Sequence, residues 1–176
     1  MSADESLLKG KHILAVDDEE DILETIVDIL DESVIDKARD YENGSKKIKT
    51  GKYDLVILDI MGVRGFQLLE ESVEQGFPTV MLTAHGLNPQ SLMESIQKGA
   101  ISYLPKTKLS ELDDLLNEIL GAFNRNESTC ALLLEKLWAD FEKHWGPGWQ
   151  ERDRETWLEF CRAYSIGKEL QERILT

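Results

Sequence analysis

Five side chains carry most of the chemical potential of this chain: Asp17, Asp18, Asp59, Thr83 and Lys106. Each follows a short run of apolar or β-branched residues, so each is expected at the carboxyl end of a strand. Three carboxylates gathered at one place repel one another, and the arrangement is costly unless a cation sits among them. Hard oxygen ligands with room for waters suit Mg²⁺. A phosphoryl group bound at such a metal needs a hydroxyl donor and a counter-charge for its remaining oxygens, which Thr83 and Lys106 would supply. A lone aspartate at a strand end is ordinarily a turn former or helix cap. Five suitable residues at successive strand ends point instead to a common site.

The elements that must position them are legible as alternation. Ile13 to Val16, Val34 to Ala38, Leu55 to Leu58, Thr79 to Leu82 and Ile101 to Leu104 are expected as five strands, several of them apolar on consecutive residues, as suits parallel strands buried on both faces. Helical spacing falls between them. Ile22, Ile26, Ile29 and Leu30 mark one helix, and Asn88-Pro89 opens another with a cap and a first-turn proline. Ser110 to Asp113 is a capping pattern ahead of the stripe Leu112, Leu115, Leu116 and Ile119. The order predicts an α/β fold, a five-stranded parallel sheet with helices on both faces and right-handed crossovers, over residues 1–122. Ligands of such sheets bind beyond the carboxyl ends of the strands, where the five residues converge.

The segments ILAVDDEED, LVILDIMG, VMLTAHG and KGAISYLPK, in this order and spacing, resemble the receiver domain of two-component response regulators, a flavodoxin-like fold, over roughly residues 11–122. The resemblance implies that Asp59 accepts a phosphoryl group from the phosphohistidine of a sensor histidine kinase or phosphotransfer protein. It implies that Asp18, Asp59 and the backbone carbonyl of Met61 bind Mg²⁺, with Asp17 acting through a metal-bound water. Thr83 and Lys106 would bind the phosphoryl oxygens, and Tyr103 would be the aromatic switch that turns inward when Thr83 is drawn to the phosphate. His85, two residues past Thr83, is placed to tune the phosphoryl lifetime; the plainer reading is a solvent-facing loop histidine. Two features depart from the family pattern. The loop Asp59-Ile60-Met61-Gly62-Val63-Arg64-Gly65 is shortened and proline-free, with two glycines that permit tight turns. Lys106 precedes Thr107 rather than the usual proline, so a trans bond is expected there, since a non-proline cis bond costs about 2.5–4 kcal/mol.

The chain has 176 residues, 34 acidic against 20 basic, a net charge of −14 and 41% apolar residues. That composition describes a soluble globular protein of about one domain, or one domain plus something small, and the acidity argues against direct DNA binding and attachment to an anionic membrane as expected roles. Apolar runs are too short to span a bilayer. Two cysteines, Cys130 and Cys161, without metal-ligand spacing fit a reduced, cytoplasmic setting.

The polar stretch 124–128 separates an all-α extension, residues 123–176, that holds all four tryptophans. Cys130, Leu134, Leu137, Trp138, Phe141 and Trp145 follow helical spacing up to the stop at Gly146-Pro147-Gly148. A second segment carries Trp157, Phe160, Cys161 and Tyr164, and Leu170, Ile174 and Leu175 suggest a last short helix. Such a small unit must bury its aromatics against the last receiver helices, in a homodimer, or against an unknown downstream protein.

The leading function is therefore a non-enzymatic, phosphorylation-dependent signalling switch. The alternatives are a degenerate receiver that binds partners without phosphorylation, and a Mg²⁺-dependent aspartyl-phosphate phosphatase. The latter resembles an Asp-x-Asp pattern that Met61 interrupts here.

Overall fold

The strands sort their side chains by strict alternation. Leu14, Val16, Val56, Leu58, Met81 and Tyr103 join one buried cluster, while Ile13, Ala15, Leu55, Ile57, Val80, Leu82 and Leu104 join the other. A period of two with both sets apolar is what a sheet covered on both faces requires. In the computed structural model, which describes residues 5–84 and 88–152 together with Glu155, Leu158 and Arg162, the strands are β1 (His12–Val16), β2 (Val34–Ala38), β3 (Leu55–Asp59), β4 (Thr79–Thr83) and β5 (Ser102–Pro105). All are parallel, in the order β2-β1-β3-β4-β5. The five expected strands are all present, with ends displaced by a residue at most.

Helices α1 (Glu20–Ile29), α2 (Tyr41–Thr50), α3 (Gly65–Glu74), α4 (Pro89–Gln97) and α5 (Leu112–Asn124) come after the strands in turn. Leu23 and Ile26 of α1 pack with Leu112 and Leu116 of α5 on one face of the sheet; Ile48 of α2, Leu68 of α3 and Leu92 of α4 cover the other. Asn88 caps α4 as expected, its Oδ1 accepting from the backbone N–H groups of Gln90 at 2.9 Å and Ser91 at 3.2 Å.

Ser110 does not cap α5. A 3₁₀ turn, Lys106–Glu111, leads directly into the helix, and no side chain caps its first residues. Leu109 of this turn is buried in the α1/α5 core, and Lys106, its first residue, reaches the carboxylates of the sheet rim.

Past the left-handed Asn126, α6 (Thr129–Trp145) runs along β5 and against α5. Gly146 and Gly148, both at positive φ, end it before the short α7 (Trp149–Arg152). Arg152 turns back to donate to the Trp145 carbonyl at 2.5 Å, satisfying the end of α6. Within the chain, the described part of the extension packs against the receiver. Leu133, Leu137, Phe141 and Trp149 belong to the same cluster as Met81, Leu92 and Tyr103. The expected segment around Trp157, Phe160, Cys161 and Tyr164 and the last helix near Leu170 lie outside the described residues, as does His85.

Candidate functional site

Parallel strands carry Asp17, Asp59 and Lys106 to one end of the sheet. Asp17 and Asp18 come directly after β1, Asp59 closes β3, Thr83 closes β4, and Lys106 opens the 3₁₀ turn after β5. Asp17 and Asp59 are almost wholly buried, whereas Asp18 and Glu19 are exposed. The Lys106 ammonium stands 2.7 Å from Asp17 Oδ2, 3.2 Å from Asp59 Oδ1 and 3.1 Å from Glu19 Oε1. The Lys106–Thr107 bond is trans, as expected.

One ammonium does not neutralise this group. Burial, and after it the charge of Asp17, pushes the Asp59 carboxyl up to about 6 despite Lys106. Burial likewise raises Asp17, against the pull of its hydrogen bonds to Lys106 and to the Glu19 backbone. Burial alone would depress Lys106, but its contacts with Asp17 and Glu19 and the charge of Asp59 outweigh it and hold the ammonium charged. A rim with surplus buried carboxylate is one that a divalent cation would stabilise. One oxygen from each of Asp17, Asp18 and Glu19 can be gathered within 4.8 Å, a hard, all-oxygen donor set.

The shortened loop closes because of its glycines. A Cβ on Gly62 would lie 2.6 Å from the Asp18 carboxylate, and its φ of 81° is one that side-chain-bearing residues rarely adopt. A Cβ on Gly65 would collide with the Asp59 carbonyl oxygen, so α3 starts directly against the end of β3. Between them Arg64 takes a left-handed φ of 54° and lays its guanidinium 5.2 Å from the centre of the Tyr41 ring, tying the loop to α2. Met61 lies on the same loop with its side chain exposed.

Tyr103 is fully buried on β5, opposite Met81 of β4. Burial raises its pKa, offset by the nearness of Thr83 and the Asn88 backbone. Its hydroxyl nevertheless makes no hydrogen bond of good geometry among the described residues.

A sequence profile described as the response regulator receiver domain matches residues 13–119. The chain belongs to this family. Among curated relatives, the transcriptional regulatory protein CiaR of Streptococcus pneumoniae is 32% identical over 135 residues, covering 71% of this chain and 59% of CiaR. The transcriptional regulatory protein CusR of Escherichia coli is 36% identical over 100 residues, covering 53% of this chain and 44% of CusR. This receiver chain thus spans about half the length of the curated relatives it matches. Among solved structures, a two-component response regulator from Clostridium difficile superposes with a TM-score of 0.59 at 28% identity, covering 65% of this chain and 98% of that one. A response regulator from Chloroflexus aurantiacus gives 0.57 at 27% identity, covering 64% and 99%.

Sequence pattern gives Glu19 no role, although it shares Lys106 with Asp17 and Asp59. The acidic run Asp17 to Asp21 is the available signal, but pattern alone does not show which carboxylates of such a run turn toward the rim. No described helix is long and apolar enough to cross a membrane.

Proposed function

We propose that this receiver is a phosphorylation-dependent switch of a two-component phosphorelay, with Asp59 as the acceptor. The observation that carries the reading is the Lys106 ammonium held between the buried carboxylates of Asp17 and Asp59. Mg²⁺, when bound by Asp18, Asp59 and the Met61 carbonyl, with Asp17 acting through a water, would neutralise phosphoryl charge. The chain's own residues do the rest. An Asp59 oxygen forms the bond to phosphorus as the P–N bond of a donor phosphohistidine breaks, and the imidazole leaves with the electron pair. Lys106 and the Thr83 hydroxyl then hold the phosphoryl oxygens in line. The donor is a sensor histidine kinase or phosphotransfer protein, the setting cytoplasmic, and the output a protein contact through residues 123–176 rather than direct DNA binding, as the acidity of the chain favours.

Incubation of the full chain with Mg²⁺ and acetyl phosphate should add the mass of one phosphoryl group, and Asp59→Asn should remove that gain. An equal gain in the Asp59→Asn chain, or none in the wild type, overturns the assignment.

A further inference from the structure

The edge of the sheet nearest Thr83 is occupied by the chain's own helix. Leu133, Leu137 and Phe141 of α6 are buried in the cluster that contains Tyr103 and Met81. Two ion pairs flank this packing: Lys136 to Glu118 of α5 at 2.8 Å, and Asp140 to Lys108 of the 3₁₀ turn at 3.9 Å. On β5, Tyr103 keeps its hydroxyl in the interior without a hydrogen bond among the described residues. A buried phenol without a partner forfeits its hydration. Its ring is fully buried in the cluster to which Leu133, Leu137 and Phe141 of α6 also belong.

The Tyr103 hydroxyl also lies near Thr83, which is one position beyond the Asp59–Leu82 register pair. A phosphoryl group on Asp59 would recruit the Thr83 hydroxyl as a donor and draw it toward β3, away from β5. That movement widens the space in which the inward ring sits. Phosphoryl binding and α6 docking thus favour the same position of one side chain, and two events that favour a common state strengthen each other reciprocally.

We propose that α6 is the output element of this receiver: docked over Tyr103, it clamps the ring inward, so that phosphoryl binding at Asp59 tightens the docking of α6 and α6 in turn tightens phosphoryl binding. The inference rests on the reading of Asp59 as acceptor and specifies the regulation of that site. It assigns the opposite sense to a tail released on activation.

Hydrogen exchange of the full chain, with Mg²⁺ alone and with Mg²⁺ plus beryllofluoride, tests it. Amides of residues 133–141 should exchange about 5-fold or more slowly with beryllofluoride, a size typical of coupled sites, and Asp59→Asn should abolish the change. Conversely, Leu137→Ala should weaken beryllofluoride binding about 5-fold. Lys136→Glu, which places like charges together at the rim of α6 without touching the core, should weaken it in the same direction. Protection of the β3 and β4 strand ends without slower exchange in α6, or unchanged affinity in both variants, overturns the clamp and leaves the acceptor assignment standing. No response anywhere, together with no phosphoryl mass gain from acetyl phosphate, overturns both.

Discussion

The two edges of the sheet are protected by opposite means. β2 is a charged edge: Val34 is exposed, Lys37 is paired with Glu20 and Glu24, and Asp36 accepts hydrogen bonds from Lys47 at 2.6 Å and from the Tyr53 hydroxyl at 2.7 Å. β5 is buried along its whole length and sheltered by α6. Charge on an edge discourages pairing with another chain at little cost in folding free energy, whereas a covering helix must bury enough apolar surface to remain in place. The covered edge is also the one next to Thr83 and Tyr103, so under the clamp proposed above it is the edge at which phosphoryl binding would be felt.

The largest test of this contrast removes the cover's anchor. Phe141→Ala empties a fully buried site between α6 and the sheet and should lower stability by about 3 kcal/mol, read by chemical denaturation, with faster hydrogen exchange in α6 and β5. A change under about 1 kcal/mol would mean that α6 contributes little to the β5 edge. On the β2 side, Asp36→Asn should cost about 1 kcal/mol at neutral pH. Burial raises the Asp36 pKa, but the hydrogen bonds from Lys47 and Tyr53 prevail and hold it below its ordinary 3.8. A depressed carboxylate stabilises the fold above its unfolded pKa, and the contribution disappears as pH falls through the folded value. Wild type and Asp36→Asn should therefore differ in melting temperature at pH 7 and converge as the pH falls through the folded pKa, which lies below 3.8; a gap that persists once Asp36 is protonated would show that the ion pair is not its source. Ser102→Ala should stabilise the covered edge by up to about 1 kcal/mol, or about 2–4 °C. The Ser102 hydroxyl is buried without a partner among the described residues, beside a crevice of about 10 Å³ lined by Leu104, Leu132 and Leu133. A lower melting temperature would place an ordered water on that hydroxyl. Lys37→Ala should leave melting unchanged within error, because its ion pairs on the open edge are screened by solvent; a measurable loss would make β2 more than a charged border.

Much of this architecture is legible in the sequence because its causes are local. Each strand announces itself by consecutive apolar residues, and Asn88-Pro89 marks the start of α4 by backbone chemistry that needs no tertiary context. Asp59, Asp17 and Lys106 can be placed together because parallel topology brings the carboxyl ends of strands to one rim. What local pattern misses is decided by distant packing. Ser110 has the spacing of a cap, but it falls inside a 3₁₀ turn whose Leu109 is buried against α1 and α5, a contact with residues distant in the chain. Arg64 gives no sign of a left-handed backbone, which results from closing a short loop against β3 and from its seat over Tyr41. Glu19 is one acid among several until Lys106 arrives from 87 residues away to share it. The packing of α6 on β5 and α5 is likewise beyond its amphipathic stripe, because a stripe states that a face is buried and not by what.

The aromatic cluster at the end of α6 has a consequence for observing the molecule. Phe141 and Trp145 stack at 4.8 Å, Trp145 and Trp149 meet edge to face at 4.8 Å, and Trp138 leans on Trp149 at 5.6 Å. Residues 1–122 contain no tryptophan at all. Indole emission from the intact chain therefore comes from the extension alone, and indoles this close exchange excitation, so small changes in their spacing alter its polarisation. The protein carries its own dye, confined to the helix that covers the β5 edge and to the residues beyond it, while the half that holds the carboxylates stays dark.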